Sequence, residues 1–297
     1  MNDLSSKAPL VIAHRGASGY RPENTLESFE LGIAQSADGI EFDVVTTLDS
    51  ELIIRHENIL SETTNIKDLE EFRSLRRDGT VEDKEHFDWY TEDLTLEEVK
   101  KLKARERLAD LRPGSAKFDD QFTVPTLLEV MQSDFLNNRV VVLELKSGTH
   151  LEKFQGSVTQ RACQQVMESK AIERGVKLYL ESFDLDLILD AKAVFTKAGI
   201  EAKYFLAIDS TKMVDCDLEF LAQNFDGLSI ATHMLLSTDT WVDSCHALGL
   251  EVWVYTARAE NATTTIEAYY EELIQTGVDG IFADQPDLLR RVLTERG

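Results

Sequence analysis

The sequence predicts an α/β fold, a TIM (β/α)8 barrel with a small helical insertion. Three observations carry this prediction: strand-like apolar runs recur along the chain, helical patterns separate most of them, and glycines mark the joints. A repeated order of strand, helix, glycine and strand is typical of a parallel sheet. About eight such units predict a closed barrel. The 297 residues suffice for one large domain of this kind.

The predicted barrel strands are short runs of apolar residues, at 10–13, 40–45, 140–145, 177–182, 202–207, 227–230, 250–255 and 280–283. Between the later strands, an apolar period typical of helices covers residues 185–197, 218–224, 240–248 and 263–275. We expect a positive φ at the glycines that close these helices or precede a strand, because glycine adopts that conformation without steric cost. These glycines are Gly175, Gly199, Gly249 and Gly277.

One strand-like run, at residues 51–56, follows the second barrel strand too closely for a helical crossover. The spacing therefore predicts an antiparallel hairpin. If its turn centres on Asp49 and Ser50, His56 lies roughly opposite Asp43, and cross-strand partners share a face of the sheet. The hairpin would then bring His56 to the same place as the carboxylates of the second strand.

Residues 57–124 interrupt the barrel pattern, since they are rich in charge and lack strand-like runs. We expect helices at 67–77 and 96–108, the second opened by a capping box between Thr95 and Glu98. The chain thus divides into a catalytic barrel, residues 1–56 and 125–297, and an inserted helical subdomain, residues 57–124. The insertion is either a small unit around the aromatic residues near Trp89 or a cap that narrows the barrel mouth.

The formal net charge of −23, from 31 basic and 54 acidic residues, limits the possible partners. Such a field repels nucleic acids and anionic membrane surfaces, so we expect no nucleic-acid binding and no membrane anchor. A small anionic substrate would need a local cluster of basic groups and metal. The sequence leaves the oligomeric state open.

Cysteine usage and the amino-terminal sequence bear on the compartment. Cys163, Cys216 and Cys245 are odd in number and widely spaced, which favours neither a disulfide framework nor a zinc site. Residues 1–9 are polar, without the apolar segment of a signal peptide, and no apolar run is long enough for a membrane span. We therefore expect a soluble, cytoplasmic protein.

Carboxylates at the ends of two predicted strands indicate a metal site. Glu41 and Asp43 stand at i and i+2 of one strand, where side chains share a face, and can chelate one hard cation together. Glu144 ends the next barrel strand and is the candidate third ligand. Three carboxylates without a Cys or His ligand set indicate a divalent cation that prefers oxygen, Ca²⁺ first and Mg²⁺ second, rather than zinc.

Basic and imidazole groups accompany these carboxylates. His14 and Arg15 end the first strand, hence lie at the barrel face where such folds keep their sites. His14 and His56 can supply a proton acceptor and a proton donor near neutral pH. Arg15 and Lys146 are the candidate contacts for an anionic phosphate oxygen. Metal-assisted hydrolysis is therefore the first hypothesis.

Three further positions have weaker signals. Trp253 shares a strand face with Tyr255, so it either fills the barrel core or forms an apolar wall beside the alcohol part of a substrate. Asp284 follows the last strand and reaches toward the edge of the site. Asn24 is interpreted mainly as a helix cap, in a capping box with Glu27.

Ordered motifs over almost the whole chain closely resemble the glycerophosphodiester phosphodiesterase family. The stretch WYTEDLTL at 89–96 resembles the inserted segment of its bacterial, calcium-using branch. The other matching pieces are HRGASGY at 14–20, PENTL at 22–26, EFDV at 41–44, RHE at 55–57, PTL at 125–127, ELK at 144–146, SFD at 182–184 and GVDGIFAD at 277–284.

The resemblance implies a TIM barrel and hydrolysis of glycerophosphodiesters, such as glycerophosphocholine and glycerophosphoethanolamine, to sn-glycerol 3-phosphate and an alcohol. It also implies three groups of site residues: the acid–base pair His14 and His56, the metal ligands Glu41, Asp43 and Glu144, and the phosphate contacts Arg15 and Lys146.

Two alternatives to this activity stay open, a lysophospholipase D and a non-catalytic barrel that binds phosphodiesters. The chain departs from the family pattern at Glu57, where many members have Asp, and at Glu62, where many have Arg. The run WVYT at 253–256 also replaces a frequent WTVN. These departures leave the substrate preference open.

Overall fold

The computed structural model describes residues 8–81, 84–208, 217–237 and 241–296. The strands of this part of the chain are β1 (Leu10–His14), β2 (Gly39–Thr46), β3 (Leu52–Ile54), β4 (Arg77–Val81), β5 (Lys84–Asp88), β6 (Val140–Leu145), β7 (Lys177–Ser182), β8 (Ala202–Ile208), β9 (Gly227–Ala231), β10 (Glu251–Ala257) and β11 (Gly280–Ala283). The helices are α1 (Leu26–Ala34), α2 (Leu96–Val99), α3 (Leu127–Met131), α4 (Val158–Ser169), α5 (Leu185–Lys197), α6 (Leu218–Asn224), α7 (Thr232–Leu235), α8 (Trp241–Ala247), α9 (Ile266–Gln275) and α10 (Pro286–Glu295).

Eight parallel strands, β1, β2 and β6 to β11, form a closed barrel. Each strand pairs with its neighbours in chain order, and β1 pairs with both β2 and β11, which closes the ring. The predicted TIM barrel is confirmed, and every predicted barrel strand overlaps an observed one. Gly175, Gly199, Gly249 and Gly277 all have a positive φ, as expected for residues that follow a helix.

The barrel interior holds an aromatic layer in its lower part. The Trp253 indole is completely buried, with ring centroids 4.8 Å from Tyr179, 5.1 Å from Phe205 and 5.5 Å from Phe282. Glycine is required at position 280, because a Cβ there would lie 2.5 Å from the Trp253 ring. A second, larger core lies between the strands and the surrounding helices.

The hairpin that follows β2 is confirmed, but its predicted register is wrong by one residue. In the antiparallel pair of β2 and β3, Val44 faces Ile54 and Val45 faces Ile53. Arg55 therefore lies opposite Asp43, and its backbone N–H donates to the Asp43 carbonyl at 3.0 Å. The reason is a longer turn than expected: Ser50 has φ +62°, and the Thr47 N–H donates to the Glu51 carbonyl at 3.0 Å.

The insertion is less helical than predicted. The helix expected at 67–77 is replaced by two 3₁₀ turns, Ile66–Asp68 and Glu70–Leu75, and the helix expected at 96–108 ends at Val99. Residues predicted to lack strands form the hairpin of β4 and β5. The predicted capping box of Thr95 and Glu98 is present.

Packing explains these differences. The buried apolar residues of the insertion, among them Leu60, Phe72 and Leu102, form one cluster with Val45 and Ile53 of the β2–β3 hairpin. Single turns and extended segments follow the surface of that hairpin, and this tertiary packing outweighs local helix propensity.

Other sequence expectations concern thiols and membrane segments. Cys163 and Cys245 are free, buried thiols, while Cys216 lies outside the described residues, as do residues 1–7 and 240. Across the described ranges, the helices are too short or too polar to cross a membrane.

Candidate active site

A cavity of about 380 Å³ opens at the carboxyl ends of the barrel strands, where this fold places its sites. Charged and imidazole groups line one part of it, and apolar side chains, including Phe183 and Tyr255, line another. The charged and imidazole lining residues are His14, Arg15, Glu41, His56, Glu144, Glu181, His233 and Arg258.

Three buried carboxylates meet beside this cavity. Glu41 and Asp43 lie on β2, and Asp43 is the cross-strand partner of Glu144 on β6. Oxygen atoms of these three groups all lie within 4.8 Å of one another, and each residue is at most 7% exposed. Burial and then the charge of Asp43 raise the pKa of Glu41 well above its ordinary value. The cluster is therefore costly without a counter-charge.

The donor set fits a divalent cation. Glu41 Oε1 and Asp43 Oδ1 are buried, yet they accept no hydrogen bond from any residue that the structure describes. Buried polar atoms are nearly always satisfied, so unpartnered carboxylate oxygens that face one another indicate a ligand that binds oxygen. A set made only of carboxylates suits a hard cation such as Ca²⁺ or Mg²⁺.

The backbone after β1 is bent to reach this cluster. Arg15 has φ +53° and Gly16 has φ +83°, and the Arg15 N–H donates to Glu41 Oε2 at 2.9 Å. The Gly16 position requires glycine, because a Cβ there would lie 2.4 Å from Ser28 Oγ. Ser28 Oγ in turn donates to the Arg15 carbonyl at 3.1 Å. The sharp turn thus keeps the Arg15 N–H hydrogen-bonded to the Glu41 carboxylate.

Asn24 belongs to the site rather than to a helix cap. The N-cap of α1 is Thr25, whose hydroxyl accepts from the Ser28 N–H, so the predicted capping role of Asn24 is wrong. Asn24 has φ +57°, and its Nδ2 donates to Asp43 Oδ2 at 3.0 Å. This hydrogen bond fixes one oxygen of Asp43 and leaves the other facing the cluster.

The His14 imidazole is fixed by Asp284. His14 Nδ1 lies 2.7 Å from Asp284 Oδ1, while His14 Nε2 lies 4.0 Å from Glu41 Oε2. Burial and then the charge of Arg15 lower the pKa of His14 to about 4, so the ring is neutral at pH 7. Burial alone would raise the pKa of Asp284, but the hydrogen bond from His14 and the charge of Arg112 hold it far below its ordinary value. An ionised Asp284 accepts a hydrogen bond from the His14 Nδ1–H, and the unprotonated Nε2 can then act as a proton acceptor.

The His56 imidazole has a similar anchor. His56 Nδ1 lies 2.5 Å from Glu57 Oε1. Burial would raise the pKa of Glu57, but the hydrogen bond from His56 and the contacts of Arg107 hold it far below its ordinary value. His56 lines the main cavity and also a neighbouring cavity of about 310 Å³, which Lys146 borders. Each imidazole thus has Nδ1 on a carboxylate. The other nitrogen of His14, Nε2, lies 3.4 Å from Thr256 Oγ1.

Two cations flank the acidic cluster. Arg15 Nε lies 3.4 Å from Asp43 Oδ2, and Arg15 Nη1 donates to Glu23 Oε1 at 3.0 Å. Lys146 Nζ lies 2.7 Å from Glu144 Oε1 and 3.7 Å from Asp43 Oδ1. These positive groups offset part of the repulsion among the carboxylates and border the space that a phosphate could enter.

Trp253 is the exception among the sequence-predicted site residues. Of the other seven, five line the main cavity, and Asp43 and Lys146 lie beside them in the acidic cluster. The Trp253 indole lies in the aromatic layer, and Nε1 donates to Glu251 Oε2 at 3.2 Å, so the predicted substrate wall is not at Trp253. Tyr255, two residues later on the same face of β10, lines the cavity instead. The strand period gives the shared face but not the height of each residue in the barrel.

Other site residues were missed by the sequence analysis. Glu181 on β7 accepts a hydrogen bond from Ser229 Oγ, and burial and then the charge of Glu144 raise its pKa to about 8. Glu181 ends an apolar strand much as Glu144 does, and that signal could have identified it. Arg107 and Arg112 reach the site from the insertion, and nothing in the local sequence marks them.

Comparison with known sequences gives the same family over most of the chain. The sequence profile of the glycerophosphoryl diester phosphodiesterase family matches residues 14–288. A glycerophosphodiester phosphodiesterase of Caldanaerobacter subterraneus subsp. tengcongensis is 28% identical over 97% of this chain and 99% of its own length. One of Bacillus subtilis is 28% identical over 98% of this chain and 88% of its own length.

Solved structures share the fold. A phosphodiesterase of Oleispira antarctica, solved in complex with the product sn-glycerol-3-phosphate, has a TM-score of 0.69 and 24% identity, with 97% of each chain covered. A glycerophosphodiester phosphodiesterase of Agrobacterium tumefaciens has a TM-score of 0.65 and 20% identity, with 95% of this chain and 99% of the other covered.

Proposed function

The chain belongs to the glycerophosphoryl diester phosphodiesterase family, and from this premise we propose how its residues carry out the reaction. The protein is a phosphoric diester hydrolase that converts glycerophosphodiesters to sn-glycerol 3-phosphate and an alcohol. We assign the acid–base steps to His14 and His56, the phosphate contacts to Arg15 and Lys146, and the metal ligands to Glu41, Asp43 and Glu144. The observation that carries this assignment is the meeting of two carboxylate-anchored imidazoles beside three buried carboxylates.

The reaction forms one bond to phosphorus and breaks another. An oxygen nucleophile attacks phosphorus, and the electron pair of the opposite P–O bond leaves with the alcohol oxygen. One histidine takes the proton of the nucleophile and the other gives a proton to the leaving oxygen. We assign proton acceptance to His14, because its buried ring is neutral at pH 7, and proton donation to His56, the other imidazole of the cavity, whose Nδ1 contacts Glu57 Oε1.

The remaining residues bind and orient the phosphate. Arg15 can hold two phosphate oxygens with its planar guanidinium, and Lys146 can approach a third as a point charge. Asn24 and the Arg15 N–H hold the two carboxylates of β2 in place. A bound divalent cation would neutralise charge on the phosphate oxygens, and electrostatic stabilisation of this kind is usually the largest single contribution to catalysis.

We propose that this cation is Ca²⁺. Mg²⁺ usually keeps several waters and takes only one or two protein carboxylates, whereas Ca²⁺ takes six to eight oxygen ligands, carboxylates among them. Three converging carboxylates, two of them with an unpartnered oxygen, favour the larger ion.

The cytoplasmic location predicted from the sequence stays a prediction, which cell fractionation tests.

The first test is release of sn-glycerol 3-phosphate from glycerophosphocholine and glycerophosphoethanolamine. The protein is treated with chelator, then supplied with Ca²⁺ or Mg²⁺. We expect turnover that depends on the cation and falls by about 10²- to 10⁴-fold in His14→Ala and in His56→Ala, because each removes one proton-transfer group.

The matched control is His246→Ala. His246 also has a carboxylate partner, with Nε2 2.8 Å from Asp279 Oδ2, but it lies on α8 and does not line the cavity. This variant should keep wild-type turnover. Turnover of lysophosphatidylcholine alone would replace the proposal with a lysophospholipase D, and binding of all substrates without turnover would replace it with a non-catalytic barrel.

A further inference from the structure

We propose that Arg107 and Arg112, two arginines of the insertion, are positioning residues that each hold one of the site histidines through a carboxylate. The inference rests on the proposed roles of His14 and His56. It gives the insertion the role of orienting the site histidines, whereas a cap would only narrow the barrel mouth.

Arg112 reaches His14 through Asp284. The Arg112 residue is 7% exposed, and its Nη2 donates to Asp284 Oδ2 at 2.6 Å, while Asp284 Oδ1 contacts His14 Nδ1 at 2.7 Å. Arg112 Nε donates to Glu260 Oε1 at 2.6 Å, and Nη1 donates to the Ser18 carbonyl at 3.1 Å. With all three nitrogen atoms engaged, the guanidinium has one position. Together with Arg258 Nε, which donates to the same Asp284 oxygen at 3.0 Å, it fixes which Asp284 oxygen faces the imidazole.

Arg107 reaches His56 through Glu57 by the same kind of contact. Arg107 Nη1 and Nη2 donate to Glu57 Oε1 and Oε2 at 2.7 and 2.5 Å, and Glu57 Oε1 contacts His56 Nδ1. A bidentate pair of guanidinium and carboxylate is planar and directional. It therefore orients Glu57, and through Glu57 it orients the imidazole.

Arg107 also holds a second site residue. Its Nε and Nη2 donate to Glu23 Oε2 and Oε1 at 3.0 and 2.8 Å. Glu23 Oε1 accepts a hydrogen bond from Arg15 Nη1 at 3.0 Å. One guanidinium of the insertion thus positions both His56 and the phosphate-binding Arg15, whereas Arg112 positions only His14 among the proposed catalytic groups.

The loop that carries both arginines is anchored within the insertion. Arg105 pairs with Asp120 at 2.8 Å and with Asp68 at 2.6 Å, and the Glu106 N–H donates to Asp119 Oδ1 at 2.8 Å. These contacts hold the loop on the insertion side. Arg107 and Arg112 then extend across to carboxylates carried by the barrel and by the segment after β3.

The two arginines should have different kinetic signatures. We expect Arg112→Ala to lower kcat by about 10- to 100-fold with KM little changed, because only the orientation of His14 is lost. Arg107→Ala should lower kcat by a similar factor and also raise KM, because Arg15 loses its alignment toward the phosphate. Arg107→Lys and Arg112→Lys should recover only part of kcat, since an ammonium cannot form the bidentate contact.

The matched control is Arg73→Ala, which removes an arginine of the insertion that is ion-paired with Glu70 and touches neither this loop nor a site carboxylate. Its kcat and KM should equal those of the wild type. If Arg73→Ala lowers kcat as much as the other two substitutions, loss of an insertion arginine acts only through general folding and the proposal is wrong.

A second readout separates this inference from the proposed function. In ¹⁵N-labelled wild-type protein we expect the Nδ1–H groups of both His14 and His56 to be hydrogen-bonded to their carboxylates, as seen from the ¹⁵N and ¹H shifts of these groups in the folded, chelator-treated protein. Arg112→Ala should change the Nδ1–H signal of His14 alone and Arg107→Ala that of His56 alone. Unchanged Nδ1–H signals in both variants would overturn the inference whether or not the wild type hydrolyses glycerophosphodiesters.

Discussion

Two layers inside the barrel differ sharply although they lie on the same strands. The lower layer is aromatic and aliphatic, fully buried and packed ring against ring. The upper layer lies two residues further along each strand and holds imidazoles and closely spaced carboxylates. Several of the buried carboxylate oxygens have no hydrogen-bond partner among the described residues. The paired positions are Ile12 and His14, Val142 and Glu144, Tyr179 and Glu181, Trp253 and Tyr255, and Phe282 and Asp284.

This difference shows how one set of strands can separate stability from chemistry. Packing in the lower layer fixes the positions of the strands, so that side chains two residues later are aligned without having to attract one another. The upper layer can then hold several carboxylates close together, at a place where a cation and a phosphate can bind. Substitutions in the two layers should therefore have opposite effects on stability and activity.

The largest expected effect is that of Glu41→Gln in the upper layer. Turnover should fall by about 10³-fold or more, because a cation ligand is lost. The free energy of unfolding in chelator should rise by ~1 kcal/mol, since a neutral amide replaces a buried carboxyl whose pKa is raised by burial and by Asp43. Activity assays and urea unfolding of the same preparation measure both. Loss of stability together with activity would contradict the separation of the layers.

In the lower layer, Trp253→Ala should have the reverse effect. The free energy of unfolding should fall by about 3–5 kcal/mol, because a large buried ring is removed from contact with three others. The kcat of the folded protein should stay near that of the wild type, because Trp253 does not line the cavity. A variant with wild-type stability but little activity would indicate that Trp253 contacts the substrate. Trp253→Phe should lose less stability.

The pH dependence of stability gives a subtler test of the upper layer. The pKa of Glu181 is raised from 4.5 to about 8, first by burial, so the native state keeps this proton after the unfolded chain has lost it. The contribution of Glu181 to wild-type stability should therefore fall as pH rises from 4.5 to 8. In chelator, Glu181→Gln should be more stable than the wild type by ~2 kcal/mol at pH 9 and nearly equal at pH 4.5. Glu30→Gln, on the surface of α1, should show no such trend.

The smallest expected effect sharpens the description of the lower layer. Gly280→Ala should lower the free energy of unfolding by about 1–3 kcal/mol, because the new Cβ would meet the Trp253 ring at 2.5 Å. Gly114→Ala is the control, since a Cβ there has nothing within 4 Å. Equal effects of the two substitutions in urea unfolding would mean that position 280 is not tightly packed.

The two layers also explain how much the sequence could predict. The barrel strands, the carboxylate pair of β2 and the positive φ of the four glycines depend on local patterns, so the sequence predicts them correctly. The layer to which Trp253 belongs depends on how far β10 extends past the neighbouring strands. No local sequence pattern gives that distance. Arg107 and Arg112 reach the site through tertiary contacts of an irregular loop, and no local pattern distinguishes them from the other charged residues of the insertion. The insertion packs against the β2–β3 hairpin, and this packing outweighs its local helix propensity.

The most direct test of this account is a calorimetric titration of the chelator-treated protein with Ca²⁺, carried out on the wild type and on Asp43→Asn. We expect one ion per chain in the wild type, binding weakened by about 10- to 100-fold in the variant, and weaker binding of Mg²⁺ by the wild type. Circular dichroism of the variant would show that its fold is kept. Equal Ca²⁺ binding by both proteins, or none by the folded wild type, would contradict the claim that the unpartnered carboxylates of the upper layer form a cation site.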